Sequence, residues 1–310
     1  MKFWHREEQR GNHLLDVLTD EERGSRLIVS RLGAELVSIA RRDAKNSWIG
    51  FLHRDNDIST PSAGWTNHAT VMGYYLHRIK NERTLYRGRE IRGGNHSFLR
   101  SKTWPLVPSN EGELTYQITP RDFTGSEYPL AVSIDLTYRL VGDKVCVRFR
   151  FKNDEPELTA HVGFGLHPGF AATSFDAFRF EMPAGTYRRH FAPGNFLSGA
   201  TEDIQFAGGE MPFPKKDLPG SFILELVDVP NRQFTYFDPP SGRSIIVDLT
   251  GVPYLTLWSD GGPFFCIEPC WGLTDHHEQR AFENKEGIQK IPPRAELLAQ
   301  FAIEPRLMSD

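Results

Sequence analysis

Glu268 is the one acidic residue in FFCIEPCWG, residues 264–272, an apolar and aromatic run that ends in Pro269, Trp271 and Gly272. A buried, ionised carboxylate is expensive unless it is paired or used. Apolar neighbours also raise its pKa toward the range in which a general base works near neutral pH. The structural alternative is a strand-end glutamate, exposed or held in an ion pair. A second such residue lies about a hundred positions earlier. His167 sits in HVGFGLHPGF, residues 161–170, followed by Pro168 and flanked by Gly163, Gly165 and Gly169. The proline pushes His167 toward an extended conformation. The glycines permit close backbone approach. A histidine and a glutamate in two such segments suit a general acid and base facing each other across one pocket.

The elements that would position them read as strands. In SIDLTYRLVGDKVCVRFRFKN, residues 133–153, apolar residues alternate at 134, 136, 138 and 140 and again at 145, 147, 149 and 151, with VGDK as the turn. That is a hairpin with one buried face. Leu114, Tyr116 and Ile118 alternate upstream, residues 26–42 read as two strands bending near Gly33, and residues 222–229 and 243–249 add more. YLTLW, residues 254–258, leads into the Glu268 run. Amphipathic helices are scarce, and 21 prolines and 27 glycines punctuate the chain as turns. The expectation is one all-β domain over 1–310, a large antiparallel β-sandwich, with residues 1–20 as an appendage and 191–220 as a long loop.

Composition narrows the partners. A chain of 310 residues with a net charge of −4 has enough material for a large core and no positive excess to offset phosphates, so nucleic acid is not expected. The N-terminal stretch lacks the apolar segment of a signal peptide, and no run is long and apolar enough to span a membrane. Cys146, Cys266 and Cys270 form no disulfide framework or metal-type array, which points to buried thiols in a reducing cytoplasm. No Walker or dinucleotide-binding glycine pattern is present, so no cofactor and no metal are expected. Asp275, His276 and His277 are adjacent in sequence, which on extended backbone points them to opposite faces; they read as a rim loop.

Several blocks, in order, resemble the aldose 1-epimerase (galactose mutarotase-like) superfamily. FGLHPGF (164–170) is similar to the block that carries the family's general acid, and CIEPCWG (266–272) to the block that carries its base, in the less characterised branch where the base motif reads C-I-E-P. Arg78 in MGYYLHRIKN (72–81) and His96 in GGNHSFLRS (93–101) match sugar-contacting positions. PYLTLWS (253–259), IVSRLGAELVSIA (28–40) and GIQKIPPRAEL (287–297) extend the likeness over roughly residues 25–305. The acidic residue that the better-known galactose mutarotases carry ahead of the late strands has no counterpart block; Asp217, Asp228 and Asp238 are the candidates to replace it.

The resemblance implies a galactose mutarotase-like supersandwich and an isomerase that interconverts α and β anomers of an aldose, with Glu268 as base and His167 as acid. It implies substrate contacts from Arg78 and His96, and no metal. Trp271, Trp65 and Phe170 are candidates for a flat face against the sugar ring, Trp271 first among them, with core packing as the competing reading of each. Arg78 has a second reading as a surface residue of the basic stretch Arg78, Lys80, Arg83, Arg87 and Arg89. Were that stretch to line the pocket, the substrate would be a phosphorylated sugar such as glucose 6-phosphate. A sugar-binding protein without catalysis, monomeric or homodimeric like the enzyme, would need the same contacts without the acid–base pair. A glycoside hydrolase would need a second carboxylate within about 5–10 Å of Glu268.

Overall fold

The computed structural model describes residues 3–211 and 215–308. Two large antiparallel sheets face each other in a β-sandwich. One has nine strands, in the order Gly209–Glu210, Arg179–Met182, Gln233–Asp238, Arg243–Asp248, Glu296–Leu307, Lys144–Asn153, Val132–Val141, Glu113–Ile118 and Leu106–Val107. The other runs Thr201–Phe206, Gly185–His190, Phe222–Asp228, Tyr254–Trp258, Phe264–Trp271, Ala160–Ala171 and Gln289–Ile291, with Ala69–Tyr74 also paired to Ala160–Ala171. A five-stranded sheet from Phe3–Arg10 to Trp48–Gly50 stands at the N-terminal end.

The alternation at 133–153 forms the expected hairpin, Val141 pairing with Lys144 across Gly142 and Asp143. Its inward Phe149 and Phe151 meet Phe164 and Trp271 of the facing sheet, and Phe164 lies flat on Trp271 with ring centroids 5.1 Å apart. Such aromatic pairs add about 0.5–1.5 kcal/mol each to area burial.

Two segments differ from expectation. From Phe3 on, the N-terminal residues make a hairpin that continues into the five-stranded sheet through pairing of His13–Asp20 with Ser25–Ser30. Its buried Asp16 accepts hydrogen bonds from Arg31 and from Tyr116 of the nine-stranded sheet, which ties it to the body. The 191–220 segment is not all loop: Thr201–Phe206 pairs with Gly185–His190 as an edge strand, and partly buried Ile204 and Phe206 pack on the core. Its Gly- and charge-rich composition reflects an edge exposed on one side. No helix of the described residues is long and apolar enough to cross a membrane.

Candidate active site

Strand parity builds the floor of the site. Along Ala160–Ala171, Val162, Phe164, Leu166 and Phe170 belong to the main core. The intervening positions are Gly163, Gly165, His167 and Gly169. From Gly163 to Gly169 one face of this strand is therefore bare backbone with the His167 imidazole standing on it. Phe264–Trp271 repeats the pattern, with Phe265, Ile267 and Trp271 in the core and Cys266, Glu268 and Cys270 on the other face. The two strands pair with Gly165 opposite Cys270 and Gly169 opposite Cys266. The same register carried through the interval sets His167 opposite Glu268. Pro168 and Pro269, in that interval, have no N–H to give the ladder. On the outer sides, Thr70 pairs with His167 and Thr256 with Glu268. A row Thr70–His167–Glu268–Thr256 thus crosses four adjacent strands of the sheet.

His167 Nε2 lies 3.3 Å from Glu268 Oε1. The glutamate is 1 % exposed and the histidine 6 %. Glu268 Oε2 and His167 Nδ1 have no hydrogen-bond partner among the described residues. Burial pushes the Glu268 carboxyl well above the usual carboxylate range. It pulls His167 down to about 3, with nearby His77 and Arg100 adding to the effect. Both directions favour the neutral forms, a carboxylic acid beside a neutral imidazole.

Above this floor is a cavity of about 320 Å³. Trp65 stacks on the His167 ring at 5.0 Å, while Trp258 and His96 meet it edge-on at 5.6 and 5.3 Å. A Cβ at Gly169 would lie 2.3 Å from Trp65, so glycine there is what lets the indole reach the histidine. Arg78, His77, His96 and Arg100 supply the polar wall, with Asn67, Asn95 and Asn195 at the sides. The loops of His77 and His96 are joined by the His96 N–H donating to the His77 carbonyl at 2.7 Å. Both residues have positive φ, 52° and 59°, a backbone state that side chains other than glycine seldom adopt and that recurs at functional sites. Burial also lowers the pKa of His96 well below the ordinary value and that of His77 to about 4. The Arg78 loop is anchored from below: the Asp275 N–H donates to the Arg78 carbonyl at 3.1 Å, the Lys80 N–H donates to Asp275 Oδ2 at 2.8 Å, and buried Lys285 pairs with Asp275 Oδ1.

The structure brings Glu268, His167, Arg78, His96 and Trp65 to this cavity. It does not bring Trp271 or Phe170, which lie on the core faces of their strands against Phe164 and Tyr236. Both have the wrong parity: Trp271 is three residues from Glu268 and Phe170 three from His167, and odd separations on a strand face opposite ways. Asp217, Asp228 and Asp238 do not line the cavity, and Asp238 is held instead by the Thr173 N–H and hydroxyl. Of the basic stretch, only Arg78 lines it; Lys80 bonds the His277 carbonyl and Arg87 that of Thr159. Several contributors lie outside the sequence expectations, Trp258, Asn67 and Asn95 among them. Arg100 belongs to the GGNHSFLRS block, and a 3₁₀ turn at Leu99–Ser101 returns it to the pocket. His77 neighbours Arg78. Asn195 comes from the 191–220 segment and accepts a hydrogen bond from Thr274 at its carbonyl. Arg78 and Arg100 make no salt bridge among the described residues, and Glu268 is the one carboxylate among those lining the cavity.

A family model described as aldose 1-epimerase matches residues 16–187. No curated protein matches the sequence. Among solved structures, a galactose mutarotase related enzyme from Lactobacillus acidophilus superposes with a TM-score of 0.81 at 20% identity, covering 99% of both chains. A galactose mutarotase-like protein from Lactobacillus casei gives 0.79 at 21% identity, over 98% of this chain and 100% of that one. Galactose 1-epimerase from Lactobacillus acidophilus gives 0.71 at 10% identity over 99% of each. At these identities the structures speak for the fold, while the sequence match spans more than half of the chain and its strand of His167: the chain belongs to the aldose 1-epimerase family.

Proposed function

We propose that the protein interconverts the α and β anomers of an aldose, with Glu268 as base and His167 as acid. The observation that carries this is the 3.3 Å His167–Glu268 pair at the floor of a cavity of sugar size. Glu268 removes the proton of the C1 hydroxyl while His167 protonates the ring oxygen. The C1–O bond to the ring breaks, and the open-chain aldehyde forms. Rotation about C1–C2 and the reverse proton transfers close the ring on the other face. Ring opening starts from a carboxylate and an imidazolium. The neutral pair carries the same number of protons, so passage of the carboxyl proton from Glu268 to His167 reaches the reactive form without exchange with solvent. Ring opening then returns both groups to their neutral resting forms, which burial favours. The face of Trp65 and the edges of Trp258 and His96 hold the imidazole in place. Arg78, His96 and the asparagines are placed to hold hydroxyls.

A phosphorylated or otherwise acidic aldose is the second reading. It is favoured by Arg78 and Arg100, two cavity guanidiniums without a salt-bridge partner among the described residues. A glycosidase is disfavoured, since the cavity lining offers no second carboxylate among those residues. The test is NMR exchange between anomers of glucose, galactose and glucose 6-phosphate. Accelerated exchange supports the enzyme, and the best sugar decides the phosphate question. Sugar-dependent shifts in protein signals without any acceleration would instead identify a binding protein.

A further inference from the structure

We infer that His77, Cys270 and Glu268 form a binding site for a thiophilic divalent cation of the Zn2+ type, and that the bound cation takes Glu268 out of use as a base. The binding half stands on geometry alone; the inhibitory half rests on the proposed role of Glu268.

Glu268 and Cys270 are two residues apart on one strand and face the same way. His77 comes over them from the loop that follows Ala69–Tyr74. Their donor atoms lie within 4.8 Å of one another, with Cys270 Sγ 3.9 Å from His77 Nε2. Zinc bonds of roughly 2.0–2.3 Å in a tetrahedron set ligand atoms about 3.3–3.7 Å apart, so small side-chain rotations close the site. The donors have capacity to spare. Glu268 Oε2 is buried with no partner among the described residues. Cys270 Sγ makes long contacts of 3.9 Å to His77 Nε2 and to Thr256 Oγ1.

The donor set selects the ion. One thiolate, one imidazole and one carboxylate suit Zn2+ and its thiophilic neighbours, whereas Mg2+ and Ca2+ want oxygen alone. Binding releases the thiol and carboxyl protons to solvent. A dication with a thiolate, a carboxylate and a neutral imidazole has no net charge, which suits a buried place. His77 and Glu268 line the cavity while Cys270 lies beneath them, so the fourth coordination position opens toward the sugar. A carboxylate bound to the cation no longer accepts the C1 hydroxyl proton.

The test uses the full chain in a phosphine reductant, with Co2+ as spectroscopic probe. The expected result is one equivalent of Co2+ bound, a thiolate-to-cobalt charge-transfer band, the strong visible bands of tetrahedral cobalt, and displacement by Zn2+. Cys270→Ala and His77→Gln should each abolish the charge-transfer band. Zn2+ should stop anomer exchange by the wild type, a chelator should restore it, and Cys270→Ala should need at least tenfold more Zn2+ for the same inhibition. Absence of the band in wild type, or its survival in either variant, overturns the site. Equal Zn2+ sensitivity of wild type and Cys270→Ala, or acceleration by Zn2+, overturns the inhibitory half. If no sugar is epimerised at all, the cobalt spectra still decide the site, so the two failures are distinguishable.

Discussion

Replacing Glu268 by Gln separates catalysis from stability. The amide keeps the shape of the carboxyl and can remain in contact with His167, 3.3 Å away. What it loses is the ability to take up and return a proton. A positioned acid or base contributes about 10²–10⁴-fold, or roughly 3–5.5 kcal/mol of barrier. No second carboxylate among the described residues lines the cavity to substitute for it, so Glu268→Gln should slow anomer exchange by that factor. Stability should move the other way. Burial raises the Glu268 pKa above its ordinary 4.5. Above that pH the unfolded chain has released this proton while the folded chain keeps it. Wild-type stability therefore falls, by up to about 1.4 kcal/mol per pH unit, as pH rises from the unfolded pKa toward the folded one. The amide cannot titrate and escapes this loss. The variant should match the wild type within about 1 kcal/mol near pH 4 and become the more stable of the two toward pH 7. Anomer exchange by NMR and urea denaturation at several pH values measure both. Wild-type exchange rates in the variant would refute the role of Glu268, and a stability difference that moved against the variant with rising pH would refute the electrostatic account.

The histidines give the opposite pH signature. His167 and His77 are lowered to about 3 and about 4, chiefly by burial, so the unfolded chain gains protons first as pH falls below 6.5. Stability should decline from there toward pH 3–4, and His167→Asn should flatten part of that slope in denaturation curves while cutting the exchange rate by orders of magnitude. Asp275→Asn should cost about 3–5 kcal/mol, because it leaves Lys285 buried without a carboxylate. A second change, Lys285→Met, should recover much of this in thermal melts; no loss in the single variant would mean the pair is not closed in solution. Gly169→Ala pushes Trp65 off His167, since the new Cβ would lie 2.3 Å from the indole. It should reduce kcat about tenfold with little change in melting temperature, and unchanged kinetics would deny the indole a positioning role.

The residues of this site are legible in proportion to how much their strand dictates. Glu268 and His167 each break an apolar run, and the anomaly is visible without any partner in view. Trp271 and Phe170 sit in the same two runs, and proximity groups them with the acid and base, yet a strand sorts residues by parity. Read with period two, VGFGLHPGF divides into an aromatic core face and a glycine-and-histidine face, and FFCIEPCW puts Trp271 with Phe265 and Ile267, away from Glu268. The information is present and needs only the strand's own rule. Arg100, His77 and Asn195 are different. They reach the cavity from loops whose course depends on distant contacts, such as the Lys80 N–H to Asp275 and the Asn195 carbonyl to Thr274. No local period encodes such returns. Nor does sequence spacing show His77 over Cys270, which is why the cysteines flanking Glu268 look like plain buried thiols until the fold sets an imidazole 3.9 Å from one of them. The strands thus fix the Glu268–His167 pair and the loops fix what that pair meets; the proposed sugar contacts come from loops, while the proposed cation site draws Glu268 and Cys270 from a strand and His77 from a loop.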